Sequence, residues 1–478
     1  MKTLINSIRS STIPRYVYVV SAFIVTFIFF FLFDHALNGW FFQDDIRHLL
    51  VYKKSLQLQE IFTLVFGGRF IGHNVYWNTM YNLAGFNAAI YFMANLLIII
   101  GNSLLLYNFV ISFIKDKEIA ILSGIIYFIM IPTLHNATWI CNAGHLLNHS
   151  FIFAFGYYYF FNDRFLNLSI KDIVMLSLLF LGSLWTAQYG AFFIPSLIFF
   201  HILNYKKTPV KLKNIILLFL YLIILLIYLM IIKKKLTEII GEDYATINIS
   251  ISSFINTLVL YSKYAFKNIF ILLFIVIILL AVGIATKNNY ILFLLLAAGF
   301  CYMPLAFNES KQSLNYLSVP FLLLNIGVII TIKNHVKIPS LLLLILLFNI
   351  VIDIPTLKDR ADNPMGSSIK QFVYTMKSAI WQYDLHNYKK IYFIPLKKHE
   401  NPTKTAVYDI PIFWHQIGGI YDGEFEKKVL PQLIDPSFEY IVKNTDDPIP
   451  PGYPVVVVDN FLFKKDEGIK KIIIPRDK

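Results

Sequence analysis

Long apolar runs separated by short polar loops dominate this chain. Tyr16 to Ala36 is nearly all apolar, and long enough to cross a hydrocarbon core of ~30 Å. Comparable runs follow at about Phe86 to Phe113, Ile119 to Leu134, Leu146 to Phe161, Ile173 to Trp185, Gly190 to Leu203 and Asn214 to Ile232. Later ones lie at about Asn268 to Thr286, Tyr290 to Ala306, Tyr316 to Ile332 and Ile338 to Ile352, which predicts roughly eleven spans. The two short runs flanking Trp185 to Tyr189 also suit one long tilted helix. Gly39 to Leu83 is too polar to span, and its Leu58, Ile61, Phe62 and Val65 at helical spacing predict an interfacial helix. From Thr356 the apolar runs stop. Strand-like Lys390 to Ile394 and Val455 to Val458, with a helix-like Ser367 to Tyr383, predict a small α/β domain. The expected fold is therefore an α-helical polytopic membrane domain over residues 1–355, with a first outer loop at 37–84, followed by a soluble domain at 356–478.

Charge gives that pattern a direction. Lys2, Arg9 and Arg15 precede the first run, and alternate loops carry Lys115 and Lys117, Arg164 and Lys171, Lys206 to Lys213, Lys287, and Lys333 with Lys337. The positive-inside rule assigns these loops and the N-terminus to the cytoplasm. The opposing short loops, His135 to His145, Trp185 to Tyr189 and Phe307 to Asn315, hold only Lys311. Lys233-Lys234-Lys235 runs against the rule in a longer loop, where snorkelling lysines account for it. An odd number of spans puts the C-terminal domain outside a plasma (inner) membrane, on the same side as Asp44 and Asp45.

Composition excludes several classes. With 57% hydrophobic and 15% charged residues and a mean hydropathy of +0.61, the chain is too apolar for an ordinary soluble protein. Its net charge of +13 sits in short clusters between apolar runs, so lipid phosphate is the expected anionic partner and nucleic acid is not. Two cysteines, Cys141 and Cys301, exclude a disulfide framework and argue against a cysteine-ligated zinc site. The first run is too long for a removable signal peptide and lacks the small-residue cleavage site, so it reads as an uncleaved anchor. No G-x-G-x-x-G and no P-loop occurs.

The candidate chemistry lies on the outer rim, because no span after the first holds Asp, Glu, Lys or Arg in its apolar body. Ion-coupled transporters keep ionisable groups at membrane depth, so this pattern argues against one. In Trp40-Phe41-Phe42-Gln43-Asp44-Asp45-Ile46-Arg47-His48, two adjacent carboxylates follow the first span. Desolvation and like charge raise the pKa of such a pair, which suits a general base near neutral pH; an acidic boundary that stops a helix is the plainer account. Gly67-Gly68-Arg69-Phe70-Ile71-Gly72-His73-Asn74 offers a planar guanidinium for phosphate. With Glu309 and Lys311 these residues form the expected rim set: Asp44, Asp45, Arg69, His73, Glu309 and Lys311. Sugar transfer from a phosphate needs a base for the incoming hydroxyl and cations for the departing phosphate. One Asp acts as base while the other orients a cation, or both hold a divalent metal such as Mg or Mn through oxygen. His135, Asn136, Trp139, Asn142, His145 and His149 form a polar and aromatic cluster suited to gripping a sugar, with helix caps and interfacial aromatics as the simpler account.

These residues resemble the GT-C glycosyltransferases, multi-spanning enzymes that use polyprenyl-phosphate sugars. Phe42-Gln43-Asp44-Asp45 is similar to their acidic first-loop motif, and Gly68-Arg69-Phe70 to a Gly-Arg element of bacterial members. Glu309 to Pro320, with Lys311, Asn315 and Tyr316, is similar to their late-loop element, Lys311 and Asn315 replacing a more usual arginine. The resemblance implies a lipid-linked donor whose phosphate meets Arg69 and Lys311, and substrate contacts from His73, Glu309, His145 and Tyr316. Within the family, the chain resembles serotype-converting O-antigen glucosyltransferases, which implies transfer of glucose to an extracytoplasmic glycan such as O-antigen. An O-antigen polymerase or ligase and a lipid-linked oligosaccharide flippase are the competing readings.

Overall fold

The structure is a computed structural model. It describes residues 13–41, 75–187, 193–204, 213–224, 268–306, 317–336, 364–395, 430–442, 448–458 and 469–473, with single residues between, Asp45, His48, Leu49 and Gly72 among them. Most described residues are helical, and they divide into two compact units, 1–34 with 56–76 and 93–358, and 35–55 with 77–92 and 359–478.

The helices fall on the apolar runs. They are α1 (Arg15–Asn38), α2 (Tyr76–Ala84), α3 (Ala88–Ile114), α4 (Lys117–Ile129), α5 (Ile131–Ala137), α6 (Ala143–Phe160), α7 (Ile170–Ala187) and α8 (Phe193–Leu203). They continue as α9 (Lys213–Ile224), α10 (Ile269–Ala285), α11 (Asn289–Ala306) and α12 (Ser318–His335). Among the described residues α1, α3 and α12 are each long and apolar enough to cross a membrane, and α4 with α5 adds a fourth span if that bent pair counts as one. The expected run from Ile119 to Leu134 is thus broken by a bend of 51°. Met130 is extended there, with φ −71 and ψ 140; Pro132, in the first turn of α5, has no N–H to donate to the carbonyl four residues earlier and its ring crowds that carbonyl, so the helix cannot run through. The expected interfacial helix around Leu58 to Val65 and the run at Ile338 to Ile352 lie outside the described residues, apart from single positions in the latter.

In the first unit α6 packs along α7, α12 packs against α4 and α11, and α11 also meets α8 and α10. α1 turns Val19, Phe23 and Phe27 outward, and α10 does the same with Phe270, Phe274 and Ile277; contiguous outward apolar faces suit hydrocarbon better than water. Inside, uncharged polar groups tie the helices together. Asn102 Nδ2 donates to Leu146 O at 2.7 Å and to the Tyr127 hydroxyl at 3.1 Å. Asn148 Nδ2 reaches Ser183 O at 2.6 Å and Thr186 Oγ1 at 2.9 Å. Such bonds are effective between helices where few other polar partners compete.

One end of this bundle gathers the lysine-bearing loops. Lys115 pairs with Asp163 at 3.2 Å, and Asn289 Nδ2 donates to Leu203 O at 2.6 Å. Phe113 there is ringed by Phe160, Phe200, Tyr290 and Phe293. Ser169 and Asp172 form a reciprocal cap at the start of α7, Ser169 N donating to Asp172 Oδ2 at 2.8 Å and Asp172 N to Ser169 Oγ at 3.2 Å. Asp116 caps α4 by accepting from the Glu118 and Ile119 amides. Lys333, at the end of α12, donates to Asp116 Oδ1 at 2.7 Å and lies 2.7 Å from Glu118 Oε2. All three side chains are largely buried, so removing the cation leaves two poorly solvated carboxylates side by side. Lys333→Met is expected to destabilise the protein by about 2 kcal/mol or more, and Lys333→Arg by much less. The thermal midpoint of detergent-purified protein reads this directly, and equal midpoints for Met and Lys would remove the argument.

The second unit contains the sheet. Strands β1 (Lys390–Pro395), β2 (Glu439–Val442), β3 (Val455–Val458) and β4 (Ile469–Ile473) run in the order β2-β1-β3-β4. β1 is parallel to β2 and β3, whereas β4 is antiparallel to β3. Before β1 comes α13 (Pro364–Gln382), which buries Val373, Met376, Ala379 and Ile380 at helical spacing and leaves Tyr374 and Trp381 exposed. Ahead of β2 the Ser437 hydroxyl and amide donate to Asp435 Oδ1, holding that carboxyl below the usual range. The end of α1 belongs to this unit too: Lys370 Nζ lies 3.4 Å from Asn38 O, and the Trp40 and Tyr374 rings are 6.2 Å apart.

Candidate functional site

Of the residues that sequence singles out, Asp45 and His145 are described, whereas Asp44, Arg69, His73, Glu309, Lys311 and Tyr316 lie outside the described residues. Asp45 is fully buried, at 0% exposure. It follows α1 within the second unit, where a group of aromatic rings packs together. Phe41 meets Tyr91 edge-on at 5.2 Å and Phe86 at 6.4 Å. Trp77 lies 5.7 Å from Tyr91, and His48 stacks on Trp77 at 5.1 Å with 25° between planes. Asp45 is within electrostatic reach of Tyr91, whose hydroxyl donates to Gly85 O at 2.9 Å. A carboxylate buried this far is costly unless hydrogen bonds or a cation balance it. His48 is the residue that sequence reasoning left out of the rim set. Its signal in the sequence was the i, i+3 spacing from Asp45, which would share a face if that stretch were helical.

His145 lies in the first turn of α6, in the first unit, and is buried. His135, Asn136, Thr138 and Asn142 are buried with it at the α5 to α6 turn. Asn142 occupies the N-cap position of α6, but its side chain makes no capping bond, so the capping account of this cluster fails at that residue. Two other chain segments arrive here. Gly72 packs backbone against backbone: a Cβ on it would stand 2.9 Å from both Gly144 Cα and Thr186 O. Asn136 Nδ2 donates to Ser318 Oγ at 3.0 Å, which ties the start of α12 to the same turn. The Tyr76 hydroxyl donates to Asn95 Oδ1 at 3.1 Å, and Asn95 Nδ2 lies 3.4 Å from Ala137 O. Gly72, the α5 to α6 turn and the start of α12 therefore meet at one end of the helices of the first unit. α6, α7 and α12 each run between that end and the lysine-bearing one.

Among the described residues no three His, Cys, Asp or Glu side chains come together as a metal would require, and Cys141 and Cys301 are not bonded to each other. An apolar cavity of about 330 Å³ lies between α10, α11 and the first turns of α12, lined by Leu272, Ala298, Tyr302, Leu317 and Phe321. No protein-family model matches the chain, and no curated protein matches it.

Proposed function

We propose that the chain is a polytopic membrane glycosyltransferase of roughly eleven spans, moving a hexose, glucose in the narrowest reading, from a polyprenyl phosphate to an extracytoplasmic glycan such as O-antigen. The observation that carries the reading is the meeting of three distant sequence elements at one end of the bundle: Gly72, the turn holding Asn136 and His145, and Ser318. The burial of Asp45, within electrostatic reach of Tyr91, supports a carboxylate kept for chemistry rather than for ending a helix.

In this reading the lysine-bearing end faces the cytoplasm and the opposite end faces outward. Asp44 or Asp45 takes the proton of the acceptor hydroxyl as its oxygen bonds to the sugar C1. The bond from C1 to the phosphate oxygen breaks, and the electron pair leaves with the polyprenyl phosphate, whose charge Arg69 and Lys311 stabilise. His145 and its neighbours orient the sugar by hydrogen bonds. The apolar cavity beside the start of α12 suits part of a lipid tail. The C-terminal sheet domain, sharing a unit with the end of α1, binds acceptor glycan on the outer side.

Mass spectrometry of surface polysaccharide from cells with and without the gene tests the proposal. One hexose per repeat should disappear on deletion and return with the wild-type chain. Unchanged polysaccharide, together with translocation of a lipid-linked glycan by reconstituted vesicles, would replace the transferase with a transporter.

A further inference from the structure

A lateral groove of about 760 Å³ runs between α1, α3 and α4, away from the residues discussed above. Phe29, Leu104, Ile125 and Phe128 are among its apolar walls, Tyr107 lies along it, and among the described residues the one charged side chain lining it is Lys117. Gly124 and Ser103 line it where α4 comes close to α3: a Cβ on Gly124 would meet Ser103 O at 3.1 Å.

Its length and its charge both point to an occupant. From Lys117 to Phe128 the groove follows eleven helical steps of α4, about 16 Å at 1.5 Å per residue. That is about half of a ~30 Å hydrocarbon core, the depth of one leaflet. Lys117 stands at the first position of α4 and is exposed, at headgroup level if α4 and α5 form a span. The neighbouring charges are already matched, Lys115 by Asp163 and both Asp116 and Glu118 by Lys333. Among the described residues Lys117 has no ion pair.

We infer that this groove holds one acyl chain of an anionic phospholipid, with its phosphate on the Lys117 ammonium. The inference rests on the membrane-spanning reading but not on the glycosyltransferase reading. One-leaflet depth favours a phospholipid over a long polyprenyl phosphate, whose chain would overrun the groove.

The test is native mass spectrometry of the full chain, released from nanodiscs containing equal phosphatidylglycerol and phosphatidylcholine. One phosphatidylglycerol should remain bound under activation that strips phosphatidylcholine. Lys117→Gln should lower its retention about fivefold, the effect of one lysine at a membrane surface, and Lys117→Arg should keep it. Ile125→Trp, which fills the groove without touching the charge, should lower retention of both lipids. Equal retention by wild type and Lys117→Gln overturns the headgroup contact, and unchanged retention by Ile125→Trp overturns the groove. A polyprenyl phosphate that cell-purified wild type retains and that both Lys117→Gln and Ile125→Trp lose overturns the choice of lipid. A chain washed from membranes by alkaline carbonate would instead overturn the membrane reading, a failure distinct from an inserted chain that shows no lipid preference.

Discussion

Asp45→Asn is expected to lower sugar transfer by about 10²–10⁴-fold, the usual worth of a positioned general base, with insertion and yield unchanged. The amide matches the carboxylate in shape, so the packing at the buried Asp45 should be kept. What the variant loses is the ability to accept a proton from the acceptor hydroxyl. Release of polyprenyl phosphate from a synthetic polyprenyl-phosphate sugar, measured with purified protein and a glycan acceptor, reads the effect. Asp44→Asn belongs in the same experiment. Full activity in Asp45→Asn with loss in Asp44→Asn would move the base one residue, and full activity in both would remove the acidic motif from the mechanism. A melting transition matching the wild type separates chemistry from folding.

Gly72→Val should be the second severe change, for a different reason. Its side chain would need space that is already taken, because a Cβ at that position would stand 2.9 Å from both Gly144 Cα and Thr186 O. Both obstacles are backbone, so the chain at Gly72 must move away from α6 and α7, and a shift of Arg69 and His73, close by in sequence, is the expected consequence. A displacement of order 1 Å in a substrate-positioning segment costs about 10²-fold in rate. The overpacking itself should destabilise the protein by about 1–3 kcal/mol. Gly144→Ala, whose Cβ would meet Gly72 Cα at 3.3 Å and Thr186 O at 3.4 Å, should be milder on both measures. Wild-type activity in Gly72→Val would show that the contact with α6 does not position the Gly-Arg segment.

Membrane-compatible helices were legible because burial in hydrocarbon leaves a signal in every residue of a run, and α1, α3 and α12 sit on apolar stretches that composition alone picks out. The bend at Met130 was less visible, although Pro132 was its marker. The sheet was half legible. Lys390 to Ile394 and Val455 to Val458 are strand-like by type and form β1 and β3, but β2 and β4 are short and mixed, and pairing between strands this far apart in sequence leaves no local pattern.

The site divides in the same way. Sequence by itself determined which residues are candidates for chemistry, since Asp45 and His145 stand out as polar groups in an apolar chain. It also determined that lysines alternate between loops, because insertion reads charge locally. Only the tertiary structure decided what those residues touch: His48 stacked on Trp77 beside Asp45, Lys333 closing on Asp116 and Glu118, Gly72 laid against Gly144, and Ser318 bonded to Asn136. Those contacts join residues 182 positions apart in the case of Asn136 and Ser318, and 217 apart in the case of Asp116 and Lys333. They arise from helix packing, which depends on the fit of whole surfaces and cannot be read from any one stretch of chain.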